Sequence, residues 1–219
     1  MARPVKPDPK PKPRTYDSSR RRAQAVQTRG AVLDAARARF LERGYAATTI
    51  GEIAGDAGVS VETVYKSFGS KAGLLKSVFD VAVVGDDEPV PLEQRSMVAR
   101  INAEPDGRQK LRIYGAAYAQ RAARAVPVQL LARDAAAADA GAADVVEQLR
   151  RERLTGMTAF AKHLHESGVL RDGITADHAR DVLWLFTSPE VYEQLVIERG
   201  WTQKRFGAWI AEQLVAALV

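Results

Sequence analysis

Residues 48–75 read TTIGEIAGDAGVSVETVYKSFGSKAGLL, and their punctuation predicts two short helices, a tight turn between them and the start of a third. Thr49, followed three residues later by Glu52, is a capping-box start: the hydroxyl satisfies one orphan backbone N–H while the carboxylate reaches back to another. Ile50, Ile53, Ala54 and Ala57 follow at helical spacing. Gly58 is free to take a positive φ past the helix end, Val59 sits as an apolar residue inside the turn, and Ser60 is a good N-cap for the next helix. From Val61 to Phe68 only Val64 and Phe68 are placed to point inward, which leaves Val61, Glu62, Thr63, Tyr65, Lys66 and Ser67 mostly exposed. Gly69 and Ser70 end that helix and cap the next, which begins at Lys71 with Leu74, Leu75 and Val78 as its buried stripe. This pattern fits a helix-turn-helix that lays its second helix in the DNA major groove; periodicity alone also fits a packing hairpin in any all-helical protein.

Residue by residue the stretch resembles the helix-turn-helix of the TetR family of transcriptional regulators. The matches run in fixed register from Gly44-Tyr45 through Thr48-Thr49-Ile50, Ile53-Ala54, Ala57-Gly58-Val59-Ser60, Thr63-Val64-Tyr65 and Phe68 to Ser70-Lys71 and Leu74-Leu75. They cover about a quarter of the chain closely; the remainder is similar in architecture alone. The resemblance implies an all-α protein: an N-terminal three-helix DNA-binding domain, then a larger helical domain for ligand binding and dimerisation. It also implies, together with the affinity of helix N-termini for anions, that Thr49, Tyr65 and Lys71 anchor DNA phosphates, with Ser60 at the head of the recognition helix. Val61, Glu62, Thr63 and Lys66 are the candidates for base edges: Lys66 for guanine acceptors, Glu62 for a cytosine amino group, Val61 or the Thr63 methyl for thymine. The sequence departs from the family at two of these places, where Glu62 stands for a frequent Gly and Lys66 for a frequent aromatic or His. Glu62 and Lys66 also have the spacing of an i,i+4 ion pair, and that reading stays open beside a role in specificity.

Upstream, a polar start and the stripe Val26, Val32 or Leu33, Ala36 and Phe40 predict an amphipathic helix from about Ser19 to Arg43, closed by Gly44. Before it, residues 1–19 hold five of the ten Pro and no apolar periodicity, which predicts a disordered basic arm. Residues 1–29 carry nine Lys or Arg against Asp8 and Asp17, a net of +7, so with a total of +5 the rest of the chain sums to −2. Residues 30–80 are neutral by count. The arm reads either as a solubilising tail or as an element that follows phosphates or enters the minor groove, with Arg20, Arg21 and Arg22 as its contributors to DNA. The domains expected are thus the arm at 1–19, the DNA-binding domain at 20–68, a connecting helix at 69–84 and the larger domain at 85–219.

Gly85-Asp86-Asp87-Glu88-Pro89-Val90-Pro91 breaks the connecting helix. Beyond it the pattern predicts helices near 92–103, 106–125, 128–140, 143–167, 175–187, 190–199 and 202–218, separated by Pro105, Pro127, Gly141, Gly168, Gly173, Ser188-Pro189 and Gly200. The Ala- and Asp-rich stretch 133–143 reads as a helix packed through small faces. Val182 and Phe186 on one late helix, and Phe206, Trp209, Ile210 and Leu214 on the last, are apolar stripes wide enough to pair with a second copy in a four-helix interface. The same stripes could instead cover the monomer's own core. A two-fold reader needs two recognition helices about one DNA turn, roughly 34 Å, apart, which favours a homodimer on a palindromic site.

A small-molecule pocket follows from the resemblance, with Met97, Tyr114, Tyr118, Met157, Phe160, His163 and Trp184 on helices able to enclose it; each also has an ordinary place in a core. With no Cys, and with His163, His165 and His178 scattered, no metal or other cofactor is expected. No apolar run reaches the length of a membrane span and no signal peptide is visible, so a soluble cytoplasmic protein is expected. No nucleophile and base, phosphate loop or apolar carboxylate pair marks an enzyme. The reading is a ligand-responsive, dimeric DNA-binding repressor, set against two others: an all-helical enzyme with an incidental hairpin, and an architectural DNA binder without a ligand.

Overall fold

The computed structural model describes residues 18–88 and 92–219, save the side chains of residues 18–20 and 93. The arm expected at 1–19 therefore falls, up to residue 17, outside the described residues, and Ser18 already opens the first helix. Among the described residues there is no strand. The helices are α1 (Ser18–Arg43), α2 (Ile50–Asp56), α3 (Val61–Phe68), α4 (Lys71–Val84), α5 (Ser96–Ala103), α6 (Gly107–Ala135), α7 (Ala140–Glu166), α8 (Ala176–Phe186), α9 (Pro189–Tyr192) and α10 (Gln203–Leu218). No helix among the described residues is long and apolar enough to cross a membrane.

The apolar side chains gather in two cores. The first is built from Val32, Leu33, Ala36 and Phe40 of α1, Ile50, Ile53 and Ala54 of α2, Val64 and Phe68 of α3, and Leu74, Leu75, Val78 and Ala82 of α4. Ala125, Val128 and Ala132 of α6 and Ala142 of α7 close it from behind. The second holds Leu111, Tyr114, Tyr118, Ala122 and Leu130 of α6 with Met157 and Leu164 of α7, Leu183 of α8, Tyr192 of α9 and Phe206, Ile210, Leu214 and Leu218 of α10. Helix α6 thus serves both cores.

Pro127 does not divide that segment in two, as its chemistry suggested; it lies inside the continuous α6. A proline there removes one backbone hydrogen bond and crowds the preceding turn. Buried Ala122, Ala125 and Val126 before it and Val128, Leu130 and Ala132 after it hold the helix together by packing on both sides. Gly141 likewise lies within α7 rather than before it: the Asp139 carboxylate accepts from the Ala142 N–H at 2.8 Å and starts the helix three residues earlier than its composition suggested. The stretch 133–143 is accordingly the end of α6, a turn and the start of α7. Residues 190–199 do not form one α-helix either. After the short α9 the chain widens into a π-helical turn over Glu193–Glu198, and the Trp201 N–H reaches back to the Leu195 carbonyl at 3.0 Å.

Two close approaches set the geometry. A Cβ on Gly73 of α4 would lie 2.2 Å from the Phe68 carbonyl oxygen, so the start of α4 sits directly under the end of α3. In the larger body Gly115 of α6 faces Gly207 of α10 closely enough that a Cβ would stand 2.7 Å from the Gly207 carbonyl. Gly73→Ala drives a methyl into backbone rather than into a yielding side chain. It should destabilise the fold by about 1–3 kcal/mol in chemical denaturation; an unchanged midpoint would contradict this packing.

Candidate nucleic-acid interface

The recognition pair is fixed by caps at every junction. Thr49 accepts from the Glu52 N–H at 3.2 Å, and Glu52 Oε2 accepts from the Thr49 N–H and hydroxyl, both at 2.9 Å, completing the capping box. Gly58 turns the chain at φ +67°, and the Val59 N–H closes the turn onto the Ala54 carbonyl at 3.0 Å. Ser60 accepts from the Thr63 N–H at 3.3 Å and heads α3; Ser70 accepts from the Gly73 N–H at 3.0 Å and heads α4.

Ties between helices hold the pair against α1. Arg39 grips Asp56 with two nitrogens, the Nη2 contact being 2.7 Å, and reaches Glu52 at 3.3 Å. Arg43 meets the same Glu52 oxygen at 3.3 Å. The side chain of Thr48 is wholly buried and donates to the Gly44 carbonyl at 2.9 Å, sealing the end of α1. In the sequence Thr48 figures only within the family match, and Arg39 not at all. A threonine beside the capping Thr49 reads as part of the cap, and an arginine on an amphipathic helix reads as solvated surface.

On α3 the side chains of Val61, Glu62, Tyr65, Lys66 and Ser67 are exposed and Thr63 is half-buried, while Val64 and Phe68 are buried. Tyr65 keeps 49% of its surface in solvent, a large aromatic held outward on a helix whose other aromatic is buried. Glu62 turns back to its own helix start: hydrogen bonds from its own backbone N–H and from Ser60 hold its carboxyl below the usual range. Those contacts take it toward the positive end of the helix dipole and away from pairing with Lys66. Lys71 is half-buried. Its ammonium stands 4.3 Å over the Tyr45 ring and 3.5 Å from the Ala46 carbonyl, and burial lowers its pKa. Tyr45 is in turn pushed up to about 12 by burial and by Asp139 at the head of α7. Arg22 is exposed on the first turns of α1; Arg21 is exposed and has a partner; the side chain of Arg20 lies outside those described.

The residues expected around a ligand are divided. Tyr114, Tyr118 and Met157 come together in the second core with Phe160 and Trp184 packed against it, His163 lies half-buried on α7, and Met97 is 39% exposed and lines an open groove of about 320 Å³ between α5 and α6. Tyr114 stacks on Phe160 with centroids 4.6 Å apart and points its hydroxyl at the Met157 sulfur, 3.8 Å away, and the Tyr118 hydroxyl donates to the Thr187 carbonyl at 2.7 Å. His163 Nε2 meets the ammonium of Lys110 at 2.9 Å. Lys110 is buried, and its other contact is the Asn102 carbonyl at 3.3 Å. Burial lowers the pKa of both groups, and for His163 the neighbouring ammonium adds to it. Arg153 lies 3.8 Å over the Trp184 ring. Sequence reasoning missed Lys110 and Arg153, because a lone cation carries no sequence signal of burial.

Phe206, Ile210 and Leu214 were expected at a dimer interface. Each is fully buried inside the monomer's second core, where α10 packs along α6, so they are not available to a partner. Val182, Phe186 and Trp209 are half-exposed, with Phe186 and Trp209 edge to face at 5.8 Å. Leu185, 60% exposed, extends that outward face, which the sequence stripe did not include.

Residues 32–78 match the family described as bacterial regulatory proteins, tetR family. No curated protein matches the sequence. Among solved structures, NalD of Pseudomonas aeruginosa, the secondary repressor of the MexAB-OprM multidrug efflux pump, is similar over 90% of this chain and 98% of its own, with a TM-score of 0.68 at 18% identity. FadR of Bacillus subtilis, a transcriptional regulator in complex with stearoyl-CoA, is similar over 87% and 99%, with a TM-score of 0.67 at 20% identity. A TetR-family regulator from Rhodococcus sp. is similar over 88% and 99%, with a TM-score of 0.63 at 14% identity.

The ties to Arg39 have a pH signature. Hydrogen bonds hold the carboxyls of Glu52 and Asp56 below their ordinary values, Glu52 chiefly through Thr49 and Asp56 chiefly through Arg39. A lowered folded-state pKa gives stability that is present above the unfolded value and lost as pH falls through the folded one. Arg39→Met should therefore lower the melting temperature at neutral pH, and its curve should converge on that of the wild type between about pH 5 and pH 2. Parallel curves over that window would show that Arg39 contributes by packing alone.

Proposed function

We propose that this chain, a TetR-family regulator by its DNA-binding domain and its fold, is a dimeric, ligand-responsive repressor that holds a palindromic operator and is released by a small molecule. The observation that carries the DNA reading is the outward face of α3: Val61, Tyr65 and Lys66 stand in solvent on a helix capped at both ends and pinned from beneath by Val64 and Phe68. A neutral recognition unit cannot hold DNA through bulk charge, so affinity rests on a few placed groups, doubled by two-fold symmetry. Thr49, Tyr65 and Lys71 position the phosphates, with Arg20, Arg21, Arg22 and the basic arm beside them. Val61, Thr63 and Lys66 meet base edges, and Glu62 steadies the start of the recognition helix rather than Lys66.

The dimer forms through the outward faces of α8 and α10, by way of Val182, Leu185, Phe186 and Trp209. Ligand response is supported by similarity to FadR, whose structure holds stearoyl-CoA, and repression by similarity to NalD. The mechanism is a population shift: a ligand that prefers the conformer with wrongly spaced recognition helices draws the protein off DNA, and α4 carries the change.

Selection of bound DNA from a random pool should return a palindrome; a site without two-fold symmetry would remove the dimeric reader. On that site Tyr65→Ala and Lys71→Ala should each bind more weakly, and for Lys71→Ala the log–log salt dependence should flatten by about 0.9 for each phosphate no longer neutralised. Wild-type affinity in both variants, with an unchanged salt slope, would end their phosphate role. Leu185→Arg should sediment as a monomer and bind the operator poorly, and a dimer that survives it would place the interface elsewhere.

A further inference from the structure

Arg153 stands half-buried on α7 in surroundings unusual for a guanidinium whose Nε is shut off from solvent. Its Nη2 donates to the Trp184 carbonyl in the last turn of α8, and its plane covers the Trp184 ring at 3.8 Å. The ion pairs of α7 among the described residues belong to Glu147, Arg151, Glu152, Lys162 and Glu166. None includes Arg153. Its Nε is the one buried side-chain nitrogen or oxygen among the described residues without a hydrogen-bond partner. Burial lowers the pKa of this arginine, against the opposing fields of Tyr118, Tyr114 and Glu190.

An ordinary structural arginine at such a place is held by a carboxylate in a fork of two hydrogen bonds. Leaving a desolvated donor unmet costs stability that a fitting acceptor would return. Trp184 covers the guanidinium, Tyr118 and Tyr114 are near enough to act on its charge, and Tyr114 stacks in turn on Phe160. Arg121, 5.4 Å over the Tyr118 ring, adds positive potential. Such rings accept a lipophilic body, and a single unmet donor suits a monoanion better than a phosphate dianion, whose desolvation is far costlier.

We infer that Arg153 is the receptor for the carboxylate of a lipophilic monoanionic effector that enters between α6, α7 and α8. The inference rests on the ligand-responsive reading above. The carboxylate takes the donor now unmet and competes for the one spent on the Trp184 carbonyl, which loosens α8 from α7. The next residue back, Glu152, holds Lys76 of α4 at 3.1 Å, so consecutive residues of α7 touch the effector site and the helix that carries the recognition unit. A shift of α7 that follows Arg153 moves α4 with it.

The test is thermal melting of the full chain with 4-phenylbutyrate, decanoate and 1-naphthylacetate, each against its matched neutral alcohol. At least one acid should raise the wild-type melting temperature by several degrees while its alcohol does not. Arg153→Met should lose that shift, and without ligand it should melt at or above the wild type, since a buried charge with an unmet donor has been removed. Arg153→Lys keeps a donor for Trp184 but lacks the planar fork; it should bind the acid at least tenfold more weakly, and it decides the matter if the Met variant fails to fold. Equal shifts from acids and alcohols, or wild-type acid affinity in either variant, would overturn the carboxylate receptor and leave a ligand-responsive protein standing. No shift from any compound would overturn both.

Discussion

Leu74 and Leu75 of α4 are both wholly buried, and the arrangement of the recognition unit depends on that burial. Successive residues of a helix point about 100° apart, so two neighbours can vanish from solvent only if the helix is covered on two sides. One cover is the α1–α3 unit and the other is formed by α6 and α7. Burying two leucines contributes about 3–6 kcal/mol by transfer, a large share of the marginal stability of a domain. The recognition helix is thereby seated on a support that belongs equally to the larger body.

Polar ties fix how the two parts meet once that burial has brought them together. Lys76 of α4 lies between Asp80 at 2.6 Å and Glu152 of α7 at 3.1 Å, and Arg124 of α6 donates to the Ala82 carbonyl near the end of α4 at 3.1 Å. Arg29 of α1 reaches Asp87 at 2.8 Å while lying 4.6 Å over the Phe68 ring. Each pair is partly solvated, so each adds little energy and mainly selects one relative position.

The recognition unit was legible in the sequence because local chemistry decides it. Capping by Thr49, Ser60 and Ser70 and the turn at Gly58 involve neighbours three or four residues away, and the structure has each of them in place. The larger body was legible as helices but not in what they face. The stripe of Phe206, Ile210 and Leu214 announces a buried face without saying that α6 buries it. Pro127 announced an end that long-range packing overrode, and the π-helical turn after Tyr192 left no mark in the periodicity. Lys110 and Arg153 were hidden for a related reason: the sequence shows their charge, and only the fold shows that Lys110 is buried and that the Arg153 Nε is shut off from solvent.

Pro127 also fixes where α6 yields. Without an N–H, it leaves the Ala123 carbonyl without its usual partner in the turn before it, between Val126 of the rear core and Val128 of the core beneath the recognition unit. The longest rod in the molecule is therefore softest at the seam between its two halves. It can bend there without breaking a hydrogen bond, so strain created in the rear body need not travel straight along α6 as it would through an unbroken ladder. The stiffer mechanical route between the rear body and the recognition unit is the lateral one, from α7 into α4.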